Sequence, residues 1–526
     1  MDNDHVTNCT KSSILNLNAP ATYLVDNVDV PALRDVIARL AKLGYNETQV
    51  CQRLGLTDLS ELNWRAQPIF RAEKLTVRDP LAVAIDLFLL QGIISLDELN
   101  QLFDKAQQEL LIRSGLLSVD ENGFAGARAA LYPVGETLIF SDHAWPMLPH
   151  PGCIKIPTDQ VMFIGTDSRW LARATVRHPV AAVLDLCTGS GVHAVLAARH
   201  AKRVVAVDIS DRAARCTDFN RHASGADQVE VKVGDLYEPL LNERFNLITA
   251  NPPFVPSPVD WLRYRDGGRS GEEVQRRIIA GLPRHLAPGG IAQIVTEFGE
   301  RDGQPLSDRL REWLGGAPLD LYILRLREHS ATSYAIGHAG TDRGNDTFEV
   351  FLHSVRDWAE NLRTQGYQRI VSVLLAFQWS DPALGSPWTL SEESQPPLKY
   401  GGHEIEAVFQ AERLVRRADF HDLLLRSSVR RAGLIGLLEA RMLGSAIPAN
   451  TQAKLAGKSF SVLHGLTRFE REILLLLEKP RAFSELATLI PVPDGKSDTI
   501  FTAVSSLVRR RLVVLSSSAA GSGVVA

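Results

Sequence analysis

Cysteine is scarce in this chain: Cys9, Cys51, Cys153, Cys187 and Cys216 are scattered, with no CxxC spacing among them. An odd, dispersed set supplies neither a disulfide framework nor a zinc cluster, so no metal site is expected and a reducing, cytoplasmic setting fits best. Long apolar runs are missing too. The nearest, 82–94, is too short to span a bilayer and carries Asp86, which argues against a membrane protein. The polar start of the chain lacks the basic-then-apolar order of a signal peptide. Neither sign of charge dominates, since 57 Lys and Arg against 61 Asp and Glu give a formal net charge of −4. That balance excludes a chain built wholly around a polyanion while leaving room for a local basic patch.

At 526 residues the chain exceeds one core, because single cores stop growing at about 250–300 residues, and about three domains are expected. Residues 1–28 read as a polar, poorly fixed tail. Within 29–150, Val30, Leu33, Val36, Ile37 and Leu40 recur at helical spacing up to Gly44, and helices are expected over 46–54, 80–90 and 95–113. A turn at Asp120-Glu121-Asn122-Gly123 and strand-like residues to Phe140 follow. Helices followed by a hairpin point either to a winged-helix-like module for substrate recognition or to a helical cap that only covers a core.

Residues 151–355 alternate strands and helices as in a doubly wound α/β sheet. Seven strands are expected, at 181–187, 203–208, 228–233, 245–250, 290–297, 319–327 and 346–354, the last two as a hairpin. Helices are expected near 167–177, 191–200, 211–223, 271–286 and 305–314. Residues 356–465 read as a mixed α/β accessory region with a Pro, Ser and Gly-rich linker at 381–402 and an irregular stretch at 403–450. Over 466–515 the capping box Thr467-Arg468-Phe469-Glu470, then Ser484 and Asp498, each open a helix, and a strand follows at 512–515. This is a second winged-helix-like pattern, and 516–526 reads as a disordered tail.

The chemistry concentrates between 183 and 254. Gly189 and Gly191, in Asp185-Leu186-Cys187-Thr188-Gly189-Ser190-Gly191, stand where a buried strand turns into a helix, and a missing side chain there lets backbone approach a ligand. Asp185 beside the loop would repel a pyrophosphate but favours the ammonium and sulfonium charges of S-adenosylmethionine (SAM). Asp208, followed by Ile209, ends the next strand about twenty residues on, where a carboxylate can accept bonds from ribose hydroxyls. Asn251-Pro252-Pro253-Phe254 must break its strand, because neither proline has a backbone donor.

Together these motifs resemble the class I SAM-dependent methyltransferases. Tyr264-Arg265-Asp266-Gly267-Gly268-Arg269-Ser270-Gly271 and Leu286-Ala287-Pro288-Gly289-Gly290 are similar to the region after the catalytic motif in release-factor glutamine methyltransferases, and ribosomal RNA guanine-N2 methyltransferases share that motif. The resemblance covers about 165–355. It implies that Asp185, Cys187, Thr188, Gly189, Gly191, Asp208, Ile209, Asp235, Leu236 and Asn251 hold SAM, Asp235 taking the adenine amine and Leu236 packing on the ring. It further implies that the Asn251 side-chain oxygen and the Pro252 carbonyl accept the two hydrogens of a planar NH2 group, on which Phe254 stacks. Cys187 stands where these relatives often have glycine, and Phe254 where the glutamine enzymes commonly have tyrosine.

Asp167 and Ser168 precede the helix over the cofactor and either close the SAM pocket or cap that helix. His193 reads as an ordinary helix residue, and His329 and His338 lack metal-ligand spacing. Arg263, Arg265 and Arg269, and later Arg413, Arg416, Arg417, Arg426, Arg430 and Arg431, form either solvated faces or a basic groove. The leading expectation is SAM-dependent N-methylation of a planar amide or aromatic amine on a protein or RNA. A small-molecule methyltransferase and a SAM-sensing nucleic-acid-binding regulator are the alternatives. An enclosed aromatic pocket formed by the N-terminal module would favour the small molecule.

Overall fold

The computed structural model describes residues 21–23, 29–63, 66–143, 158–259, 262–339, 347–440, 450–492 and 498–517. Most of the two expected tails, and the boundary at 150/151, lie outside the described residues.

Short runs of Val, Ile, Leu and Ala, each stopped by a turn, build a nine-stranded central sheet. Its strands are β1 (Val180–Leu186), β2 (Ala201–Asp208), β3 (Val229–Val233), β4 (Phe245–Ala250), β5 (Leu286–Glu300), β6 (Leu319–Ser330), β7 (Arg369–Trp379), β8 (Thr389–Gln395) and β9 (Ser461–Val462). Their order is β9-β8-β6-β7-β5-β4-β1-β2-β3. β1 to β5 run parallel to their neighbours within that set, and β7 lies antiparallel between β5 and β6. Successive residues serve opposite faces, as a period of two requires. Val183, Val204 and Leu247 enter one core with helices Val192–Ala197 and Asp211–Ala223. Leu184, Val205 and Ile248 enter the other with helices Glu273–His285 and Leu306–Trp313.

The strand expected at 346–354 is overturned. Phe348–Thr364 is a helix, opened by Thr347, whose side chain accepts the Val350 N–H, and it buries Trp358, Asn361 and Leu362 at helical spacing. The strand that follows β6 is β7, and the chain between them holds two helices, Ala331–Ala339 and Phe348–Thr364, instead of a tight hairpin. The sheet therefore continues past residue 355. Part of the expected linker at 381–402 is β8, which extends the sheet parallel to β6. The stretch at 403–450 contains helices Gly402–Val415 and Phe420–Leu425.

The N-terminal module shares a core with the sheet. Leu33, Val36, Phe88, Phe103 and Phe140 belong to the same buried cluster as Val204 and Phe219, and the rings of Phe140 and Phe219 meet edge-on at 5.5 Å. Residues 21–23 are anchored, contrary to the expected loose tail: Tyr23 is fully buried and donates to Asp142 at 2.7 Å. In this module Ile93–Ser95, Phe124–Ala127 and Leu117–Val119 form a small sheet in that order, with helices Leu96–Leu102 and Lys105–Arg113 between its first two strands in sequence.

The C-terminal module repeats the pattern with Arg481–Ala482, Ser427–Arg431 and Val513–Ser517, around helices Phe483–Leu489 and Thr499–Arg509. Its middle strand comes from upstream of 466, and its last strand runs to Ser517, beyond the expected start of the tail. Among the described residues no helix is long and apolar enough to cross a membrane.

Candidate active site

The parallel strands β1, β2 and β4 end together, and a cavity of about 620 Å³ opens beyond their carboxyl ends, where doubly wound sheets bind ligands. Its wall includes Cys187, Thr188 and Gly189 from the glycine loop, Asp208 and Ile209 from the end of β2, Asp235 and Leu236 after β3, and Asn251 and Pro253 after β4. Four local conformations make this wall possible. Gly189 and Gly191 have φ of +57° and +78°, and Cys187 and Leu236 have φ of +55°. A Cβ on Gly189 would meet nothing within 4 Å, so the loop leaves open space there. A Cβ on Gly191 would sit 2.7 Å from Thr217 Cγ2, so Gly191 lets helix Asp211–Ala223 pack against the loop.

Asp185 is not on the wall, against the expectation that it touches the cofactor. It is fully buried, and Thr188 and Thr249 donate their hydroxyls to it at 2.6 and 2.8 Å. Burial pushes its carboxyl up to about 6. Its place is behind the loop, which it ties to β4. Asp208 accepts the Gly189 N–H at 2.9 Å and the Ser210 N–H at 3.0 Å, and burial raises its pKa. Asp235 faces the same cavity while pairing with Arg277 at 2.8 Å. Burial drives the Cys187 thiol well above its ordinary range, which removes it as a nucleophile.

Asn251 donates through Nδ2 to Asp167 Oδ2 at 3.0 Å and to Ser168 Oγ at 3.1 Å. Its Oδ1 is buried and has no hydrogen-bond partner among the described residues. Such an acceptor costs free energy unless something fills it, so it points to a donor brought by a ligand. Two more unpartnered buried atoms belong to side chains on the same wall, His193 Nε2 and Gln160 Oε1. Burial pushes the His193 imidazole down to about 3, so the ring is neutral; it is a wall residue and not simply a helix filler.

A second cavity of about 390 Å³ adjoins the first, sharing Met162 and Tyr264. Pro252 and Phe254 line it, with Phe163, Trp170 and Tyr334 as further aromatic walls. The proline motif thus stands between two cavities. Glu297, near the end of β5, also faces the second cavity and accepts from Tyr334 and Ser372, both at 2.8 Å, while burial raises its pKa. His329 and His338 line it as well.

Sequence reasoning gave no site role to Gln160, Tyr264 or Glu297, although Tyr264 opens a motif it singled out. Glu297 carried a signal too, its position near the end of the strand next to the one bearing Asn251. Several of these arginines are already paired within the fold. Arg265 is bound to Asp266, and in the later group Arg413 pairs with Gln378, Arg417 with Asp419, and Arg431 with the Leu474 carbonyl.

Residues 164–315 match the family model of the methyltransferase small domain. The ribosomal protein uL3 glutamine methyltransferase of Bradyrhizobium diazoefficiens is 39% identical over 152 residues, which covers 26% of this chain and 46% of that protein. Release factor glutamine methyltransferases of Gloeobacter violaceus and Geobacter sulfurreducens are 36% and 32% identical, over 23% and 28% of this chain and 47% and 57% of theirs. The chain therefore spans about half the length of the curated relatives it matches. The α/β fold, with its large central sheet flanked by helices, agrees with a methyltransferase domain.

Proposed function

We propose that this chain is a SAM-dependent N-methyltransferase whose acceptor is a planar amide nitrogen on a protein, of the glutamine kind that its relatives' names specify. In this reading β1 to β7 are the seven-stranded class I core, and the flanking modules are winged-helix-like accessories that present the acceptor. The observation that carries it is the unpartnered Oδ1 of Asn251, placed on the cofactor-cavity wall within a motif whose next residues line the second cavity.

The residues fit SAM. Gly189 leaves a gap in the wall, Asp208 offers carboxylate lone pairs for hydroxyls, and Asp235 and Leu236 supply an acceptor and an apolar contact. Gln160 Oε1 and His193 Nε2 are buried polar atoms in want of partners. When bound, SAM supplies an electrophilic methyl on a sulfonium. Asn251 Oδ1 and the Pro252 carbonyl would accept the two N–H groups of the acceptor, fixing its plane and returning electron density to a nitrogen that is a poor nucleophile. Phe254 would lie against the planar group and help exclude water. Positioning and electrostatics then supply most of the acceleration.

Protein is favoured over a small acceptor because the lining of the second cavity comes from residues 162–372 and not from the N-terminal module. A pure SAM sensor would leave the Asn251 oxygen unexplained. Incubating the purified chain with cell lysate and methyl-labelled SAM, followed by mass spectrometry, tests the proposal. Label on a glutamine side chain is the expected result; label confined to RNA or to small metabolites overturns it.

A further inference from the structure

Asn251 is useful to an acceptor N–H only if its carboxamide is turned the right way, since the two ends of the group differ in sign but hardly in shape. The side chains of Asp167 and Ser168, from the first turn of helix Thr166–Ala174, meet it. That helix opens at Gly165, which brings no side-chain cap. Asp167 Oδ2 and Ser168 Oγ instead take both hydrogens of Asn251 Nδ2, at 3.0 and 3.1 Å. An ionised carboxylate accepts only, so it cannot face the carboxamide oxygen without repulsion. The oxygen is left as the unpartnered buried atom.

We propose that Asp167 and Ser168 are positioning residues that lock the Asn251 carboxamide with its oxygen toward the acceptor nitrogen. The inference rests on the functional reading above, in which that oxygen receives a substrate N–H. The lock also gives the half-buried Asp167 carboxyl a role: burial and Glu297 raise its pKa, while the Asn251 N–H and backbone hydrogen bonds oppose that rise and favour the ionised form that only accepts. With amide in place of carboxylate at 167, either orientation of Asn251 finds a partner, and the flipped one presents NH2 where an acceptor is needed.

The test is a swap. Asp167→Asn should lower the initial rate of methyl-label transfer into lysate protein about tenfold at saturating SAM, with SAM affinity by calorimetry unchanged. Asn251→Asp sets two carboxyls about 3 Å apart, so one must take up a proton, and both the rate and the melting temperature should fall. The double variant Asn251→Asp with Asp167→Asn restores one acceptor-only group held by one amide. It should recover melting temperature and run about tenfold faster than Asn251→Asp alone. A double variant no better than Asn251→Asp in either measurement overturns the lock. Recovery of melting temperature in a protein whose native form labels no glutamine would keep the lock and reject the functional reading.

Discussion

Glu47 joins the N-terminal module to the helix that carries Asp167 and Ser168, and its removal should be costly. Its Oε1 accepts from Arg169 at 2.8 Å and from Arg173 at 2.7 Å, and its Oε2 accepts the Gly135 N–H at 2.6 Å. The Arg169 side chain is only 2% exposed, and its remaining partner is the Pro133 carbonyl at 3.0 Å. Glu47→Ala therefore strands a buried guanidinium, a change that costs about 3–5 kcal/mol in measured cases. Asp58 stays bound to Arg173 and offsets part of the lost charge, so the lower end, about 3 kcal/mol, is expected. Glu47→Gln keeps an acceptor for both donors and should lose less. Urea unfolding followed by tryptophan fluorescence measures this, with Trp170 on the affected helix as a local reporter. Because Arg169 and Arg173 lie on the helix that orients Asn251, label transfer should fall with stability even under conditions where the protein remains folded. A loss below about 1 kcal/mol, the level of a surface pair, would show that the module does not brace the active site through this contact.

Asp208→Ala should weaken SAM binding by about 1–3 kcal/mol, the range for hydrogen bonds to charged groups. Calorimetry decides it, and unchanged affinity removes Asp208 from the site. Asn251→Ala should cut turnover by about 10²–10³, by analogy with lost oxyanion-hole donors, while SAM affinity stays nearly constant; a variant retaining most of its activity would sink the mechanism. Asp185 titrates near 6 in the fold, above its unfolded value of 3.8, so the native state binds the extra proton between these values and this group's contribution to stability declines as pH rises through 6. The size is about 3 kcal/mol. Wild type should therefore be more stable relative to Asp185→Asn at pH 5 than at pH 7, by about 1 kcal/mol of that total, and a constant difference would contradict the buried titration.

Patterns set by single residues were legible in the sequence, and pairings set by distant ones were not. Gly191 announced itself because its φ of +78° and the approach of Thr217 both exclude a side chain. The double proline marked the end of β4 for an equally local reason, the missing donors. By contrast, Phe348, Val350, Phe351 and Leu352 make a short apolar run that passes for a strand, and only the contacts of Trp358 and Leu362 further along decide for a helix. β8 lies in a stretch rich in turn formers and exists because β6 offers it an edge. The shared core of the N-terminal module and the sheet has no sequence signature, since apolar faces look alike whether they meet a neighbour or close on themselves.

The site divides along the same line. Asp185 and Asp208 were both visible as carboxylates at strand ends, yet their hydrogen bonds give them different work: Asp185 is satisfied by two hydroxyls behind the loop, and Asp208 holds the loop backbone while keeping a face on the cavity. Asp167 is 84 residues from Asn251 in sequence, and no spacing rule joins them. Cys187 shows how the two levels constrain each other. Its φ of +55° lies in the left-handed region where glycine is at ease and other residues are strained. The chain nevertheless places a thiol there, partly buried against the cluster that backs β1 and β4. Apolar packing under the loop thus offsets a backbone conformation that glycine would adopt without strain, which is why the departure from the family pattern leaves the glycine loop in its cavity-lining form.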